Sequence, residues 1–143
     1  MNIVIRKANF SDIAALCGLM SELSGKVIHE AEVEQRLHYI EQSSIDSLFV
    51  LEADGAVKGA LGFRLRENIE DTSCYGEISL MVVSSGERKK GLGKMLMEYA
   101  EQLAKENNCI GTWLVSGLGR EEAHQFYKKL GYQINGYRFI KKS

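Results

Sequence analysis

Gly76-Glu77-Ile78-Ser79-Leu80-Met81-Val82-Val83-Ser84-Ser85-Gly86-Glu87-Arg88-Lys89-Lys90-Gly91-Leu92-Gly93-Lys94 changes its pattern twice, and those changes decide the fold. Residues 77–83 alternate and are rich in Ile, Leu and Val, which predicts a strand. Residues 84–90 are small, then basic. From Gly91 the spacing becomes helical, with Leu92, Met95, Leu96, Tyr99 and Leu103 on one face. A strand that passes through a basic glycine turn into a helix makes a cradle for a phosphate. Glycine lets backbone come close, the first N–H groups of the helix are free, and the helix dipole favours an anion.

The composition narrows the function classes. The chain has 143 residues, 45% hydrophobic and 26% charged, which fits one globular domain, residues 1–143, with a real core. A net charge of -1 argues against non-specific nucleic-acid binding, so Arg88, Lys89, Lys90 and Lys94 act locally. No apolar run approaches the roughly 20 residues that cross a bilayer, and the N-terminus shows no signal peptide pattern. Cys17, Cys74 and Cys109 are scattered and carry no zinc spacing, so no metal is expected and a reduced, cytoplasmic setting is.

Around the central stretch the other elements fall in order. Residues 3–7 read as a strand, and Asn9 with Asp12 resembles a capping box for a helix ending at Ser24-Gly25. A second helix spans about Ala31 to Gln42. Residues 47–53 and 57–66 form a hairpin across Asp54-Gly55. After the helix from Gly91, residues 109–115 make a strand, a helix covers Arg120 to Leu130, and 132–135 with 137–141 predict a last hairpin across Asn135-Gly136. The order β-α-α-β-β-β-α-β-α-β-β is one α+β domain. Its mixed, mostly antiparallel sheet has a parallel pair at its centre and is flanked by helices.

Two common phosphate motifs fail on counting. A P-loop would need glycine where Arg88 stands and Ser or Thr where Met95 stands. A dinucleotide fingerprint would need a third glycine at Leu96. What fits is R-x-x-G-x-G from Arg88, Gly91 and Gly93. With the R-K-K-G-L-G-K run at 88–94 and R-E-E-A-H-Q-F-Y-K-K-L-G-Y at 120–132, the chain resembles the GNAT superfamily of acyl-CoA-dependent N-acetyltransferases over nearly its whole length.

That resemblance implies acetyl-CoA as co-substrate. By match, the turn of Arg88, Lys89, Lys90, Gly91, Leu92, Gly93 and Lys94 holds the coenzyme A pyrophosphate. It implies a bulged central strand that splays from residues 110–115, with Met81, Val82 and Val83 pairing the pantetheine arm. It implies a base at Glu77, which the alternation puts on one face with Ser79 and Met81, toward the acceptor. It implies a general acid at Tyr127, at the tyrosine of the family's F-Y-x-x-x-G-[FY] pattern. Arg120 departs from the asparagine common at its position and either reaches a phosphate or faces solvent, and His124 is expected on the solvated side of its helix.

The acceptor is expected to be the primary amine of a small molecule, held near residues 21–33, 66–76 and 133–138. Glu22, Glu30, Glu67, Glu70 and Asp71 are candidates to attract it, against a plain solvated acidic surface. Two other readings stay open: a protein or peptide acetyltransferase, and a non-catalytic acyl-CoA-binding sensor. No nucleic-acid or membrane partner is expected, and a homodimer through the last hairpin or an exposed strand edge is possible.

Overall fold

A computed structural model describes residues 1–143. Strand β1 is Ile3–Lys7. A 3-10 turn at Phe10–Asp12 leads into helix α1, Ile13–Ser24, and α2 is Glu30–Gln42. Strands β2 (Asp46–Ala53), β3 (Ala56–Glu67) and β4 (Cys74–Val83) follow. Helix α3 is Leu92–Glu106, β5 is Gly111–Leu114 and α4 is Glu121–Lys129. The sheet order equals the chain order, antiparallel from β1 to β4, and β4 and β5 are parallel. The Asp54-Gly55 turn has φ of 52° and 85°, the paired positive values of a tight hairpin turn.

Helices cover both faces of this sheet, which explains the unbroken apolar run in β2. Phe49 and Leu51 point to α3, where they meet Leu61, Phe63, Leu92, Leu96, Met97 and Ala100. Leu48 and Val50 point the other way, to Leu16, Leu19, Val33 and Leu37 of α1 and α2. Each such side chain contributes about 1.5–3 kcal/mol by leaving water.

In β4 the alternation breaks. Gly62 pairs with Leu80 but the next residue, Phe63, pairs with Ile78, so Ser79 is an extra residue in the ladder. Ile78 therefore joins the α3 core while Leu80 and Val82 turn to the α1–α2 side. The expectation that Glu77 and Met81 share a face is corrected here, since Met81 packs against the α3 core. On the far side, β5 pairs with β4 only from Tyr75 to Ile78. The two strands part at the bulge, as the resemblance implied.

The last hairpin does not form. Residues 132–143 carry no strand, and the last backbone hydrogen bond to the body is Tyr132 N–H to the Tyr127 carbonyl. Asn135-Gly136 and its flanks favour a hairpin locally, but an isolated two-stranded hairpin has too little burial to hold in water, and no third strand of this chain backs it.

One ion-pair cluster ties β1 to the start of α1. Arg6 donates from both terminal nitrogens to Asp12, at 2.8 and 2.9 Å, and from Nε to Glu52 at 2.6 Å. Asp12 is 4% exposed and also accepts the Asn9 N–H, the capping box expected from the sequence. The Arg6 hydrogen bonds hold its carboxyl below the usual carboxylate range, against burial. A depressed folded value contributes stability above the unfolded pKa of about 3.9, lost as pH falls through the folded value. Asp12→Ala should lower unfolding free energy by about 3 kcal/mol at neutral pH, the low end for breaking a buried pair because Glu52 still serves Arg6. Urea melts should show the gap from wild type closing as pH falls below the unfolded value of about 3.9.

Candidate active site

The parting of β4 and β5 opens a slot between the strands. Its cavity, about 80 Å³, is lined by Leu23, residues 78–81, Leu114, Val115, Ser116, Arg120 and Tyr127. Ser116 Oγ is buried there without a hydrogen-bond partner, which a native interior rarely leaves unless a ligand or water supplies the bond. Beyond Ile78 the β5-facing edge of β4 has no partner strand, so Met81, Val82 and Val83 lie along an open ladder edge. Their side chains are core: Val82 is 4% exposed, and Met81 and Val83 pack on the α3 side.

A second cavity of about 180 Å³ lies on the α1–α2 face. Met20, Val33, Ile40, Leu48 and Leu80 give it an apolar body, and Arg36, Asp46, Ser47 and Ser79 give it polar points. Ser79 and Leu80 line both cavities, so the two meet at the bulge. Opposite the bulge, Gly62 makes room: a Cβ there would stand 2.6 Å from Ser79 Oγ and 3.0 Å from Leu80 Cβ.

At the end of β4 the basic turn runs into α3. Lys89 and Gly91 have φ of 67° and 82°, and Gly91 is the N-cap of α3 with no side-chain cap. No backbone carbonyl accepts an N–H from residues 88–94; the first helical bond is Met95 N–H to Gly91 O, 3.1 Å. This row of free donors at a positive helix end is built for an anion. Arg88, Lys89 and Lys94 are exposed, and Lys94 lies 4.0 Å from Glu98. Lys90 is engaged differently: its ammonium sits 2.9 Å from Glu87, whose carboxyl Lys90, with help from Lys58, holds below its ordinary value. Leu92 is buried under α3, and Gly93 faces Phe126 and Met81. The turn is tied to α1 by Glu22, which accepts from Ser85 N–H and Oγ at 3.2 and 3.3 Å.

Tyr127 stands on α4 at the slot, edge-on to Phe126 and Tyr132 with ring centroids 5.3 and 6.2 Å away. Burial pushes its phenol above the ordinary value, and Arg120 opposes that shift. Behind it, Tyr132 donates to Glu101 at 2.9 Å and pairs with Thr112 Oγ1 at 2.7 Å, which fixes the end of α4 against α3 and β5. His124 is partly exposed, and its Nε2 lies 2.8 Å from the Gly117 carbonyl and ties α4 to the preceding turn. Glu77 lies on the face opposite Ile78, two residues before the bulge. It pairs with Arg66 at 3.4 Å, and Arg66 lies over Trp113 at 5.7 Å. It lines neither cavity.

The structure thus brings Tyr127, Arg120 and residues 78–81 together and sets the 88–94 turn at the far end of the slot. None of Glu22, Glu30, Glu67, Glu70 or Asp71 lines the cavity on the α1–α2 face, and Arg36, Asp46 and Ser79 do. The pattern of α2 marks Arg36 as polar and Val33 and Leu37 as core, but only the tertiary crossing over β2 turns Arg36 to the cavity.

The pattern of the Acetyltransferase (GNAT) family matches residues 14–132. The chain belongs to the GNAT acetyltransferase family. As a member it is an acyl-CoA-dependent N-acetyltransferase. It is 35% identical over 127 residues to the uncharacterized N-acetyltransferase YhdJ of Bacillus subtilis, covering 86% of each chain. It is 30% identical over 88 residues to the aminoalkylphosphonate N-acetyltransferase of Salmonella typhimurium, covering 62% of this chain and 57% of that one. The aminoglycoside N-acetyltransferase AAC(6')-Iy in complex with CoA shares the fold, with a TM-score of 0.87 at 16% identity over 99% of this chain and 95% of that one.

The bulge makes its own prediction. Gly62→Ala should push Ser79 and Leu80 from their places, costing about 1–3 kcal/mol of stability. Turnover of the folded enzyme should fall by about tenfold or more, since a displacement of 1 Å at a reacting centre costs that much or more. Steady-state kinetics beside urea melts separate the two effects.

Proposed function

We propose that the protein transfers the acetyl group of acetyl-CoA to the primary amine of a small molecule, by direct attack of the amine on the thioester. The observation that carries this reading is the meeting of two cavities at Ser79 and Leu80. One is a slot between parted strands, and β4 leads from it to a turn with a row of free N–H groups; together they suit a long ligand with a thioester at one end and a pyrophosphate at the other. The other is a pocket of about 180 Å³ between α1, α2 and the sheet, of a size for a small molecule rather than a polypeptide. A relative that acetylates aminoalkylphosphonates supports a small amine acceptor.

In this reading residues 88–94 hold the pyrophosphate through backbone N–H groups, with Arg88, Lys89 and Lys94 adding charge and Lys90 acting through its clamp on Glu87. The edges of Met81, Val82 and Val83 pair the pantetheine amides. Ser116 Oγ and Arg120 complete the slot. The amine nitrogen bonds to the carbonyl carbon, the carbon–sulfur bond breaks, and the thiolate takes a proton from Tyr127. Glu77 receives the amine's proton through water, since it stands on the acceptor face but outside both linings.

Thiol release measured over a panel of amines, aminoalkylphosphonates, polyamines, aminoglycosides and lysine peptides tests the reading. Turnover confined to small amines is the expected result; turnover of peptides alone would overturn the small-molecule assignment, and coenzyme binding without any thiol release would make the protein a sensor. Tyr127→Phe should lower kcat by about a hundredfold or more with little change in KM for acetyl-CoA. Glu77→Gln should lower kcat at neutral pH and regain activity as pH rises and the amine loses its own proton. Gly91→Glu should remove coenzyme binding by setting a carboxylate at the pyrophosphate cradle.

A further inference from the structure

Cys74 and Cys109 stand 35 residues apart in the chain and meet in the fold, the Cys109 thiol donating to the Cys74 sulfur at 3.6 Å. Local structure brings them there. The end of α3 turns back through Asn108, whose φ of 58° is left-handed. Two bonds close that turn, Asn108 N–H to the Lys105 carbonyl at 3.1 Å and Cys109 N–H to the Ala104 carbonyl at 2.8 Å. Such a motif sets the next residue against the helix it has just left, and Cys109 packs on the α3 core. Cys74 opens β4, pairs with Glu67 of β3, and takes the Ile110 N–H on its carbonyl at 2.8 Å. Both backbones are thus fixed, and the two sulfurs touch where β5 begins.

A single half-buried cysteine is ordinarily a small hydrophobe, as Cys17 is on the α1–α2 side. Two in contact on fixed backbones can do more. Bonded sulfurs lie about 2.0 Å apart, so this pair needs to close by roughly 1.5 Å, within reach of side-chain rotation. We propose that Cys74 and Cys109 are an oxidisable pair, joined by exchange with a small-molecule disulfide into a bond that staples the start of β5 to the start of β4. The place gives the bond its effect. β5 holds β4 through the pairs from Tyr75–Gly111 to Ile78–Leu114 only, and then the strands part. Leu114 to Ser116 wall the slot. A bond at the opposite end of β5 resists peeling of the strand without entering the site.

The exchange balances without a further reactant. Cys74 follows the exposed β3–β4 loop, so a solute reaches its sulfur first, while Cys109 is backed by the core. The Cys74 thiolate attacks one sulfur of the small disulfide; that S–S bond breaks, and the departing thiolate takes up a proton. The Cys109 thiolate then attacks the Cys74 sulfur of the mixed disulfide and expels the second small thiolate, which is protonated in turn. The two cysteines lose two electrons and two protons, and the small disulfide gains them. Burial and the neighbouring Cys74 thiol push Cys109 up to about 11, so closure is slow near neutral pH. The same property makes Cys109 a poor leaving group once the bond exists, so the staple is durable rather than a rapid sensor.

Oxidised glutathione, incubated with the full chain, is the probe. Intact mass should fall by two hydrogens, and alkylation with peptide mapping should find Cys74 linked to Cys109 and Cys17 free. The thermal midpoint should rise by about 5 °C or more and return when a dithiol reduces the bond. In Cys74→Ser or Cys109→Ser the same treatment should leave no bond within the chain and no rise, and Cys17→Ser should behave as wild type. Glutathione left on Cys74 without closure, a bond to Cys17 or between chains, no reaction at all, or a closed pair with an unmoved midpoint each overturns the proposal. The map and the midpoint are read on wild type, so they decide even where a serine variant folds poorly.

Discussion

One extra residue in one strand sets what the rest of the molecule must do. With Ser79 inserted between the Ile78 and Leu80 pairings, β4 twists away from β5 and its side chains change faces. Below the bulge β4 is an ordinary central strand with partners on both sides. Above it one ladder edge is open, in the middle of a sheet whose two faces are covered by helices. An open edge in such a place is costly to a protein without a ligand, and the slot with the buried, unpartnered Ser116 Oγ is the visible result.

The elements around the bulge are held by different interactions on each side. On the α3 side, Ile78 and Met81 anchor the strand in the larger core, so the turn at 84–91 leaves from a rigid base. Glu87, between Lys58 and Lys90, and Glu22, on Ser85, then fix that turn to β3 and α1. Lys90 thereby gives up its charge to structure, and the turn's attraction for an anion rests on backbone N–H groups and the α3 dipole more than on lysine count. On the other side the Arg6–Asp12 pair places the start of α1, whose Met20 and Leu23 wall the two cavities.

Much of this was readable in the sequence because it is local. The alternation in residues 74–83, the Asp54-Gly55 turn, the capping box at Asn9 and Asp12, and the change of period at Gly91 each depend on a few adjacent residues. The bulge was not readable in that way. Ile78, Leu80 and Val82 look like one face, and only the pairing with β3, where Gly62 leaves room for Ser79, shows that they are two. The C-terminal segment failed for the converse reason. Its turn and flanks are strand-like, but a strand needs a partner, and no local pattern says whether the partner lies in the same chain. Charge on a sequence does not say where a side chain points, so the lining of the α1–α2 cavity by Arg36 and Asp46 was not readable either.

The cavity on the α1–α2 face is neither an acidic funnel nor a plain apolar hole. Asp46 is shared with Arg64 at 3.4 Å and with the Tyr39 hydroxyl at 3.4 Å, both long for hydrogen bonds, and Arg64 Nε is buried without a partner. A guanidinium so loosely served is ready to trade a weak contact for a stronger one, but it stands behind Asp46, and the one cation of the cavity lining is Arg36.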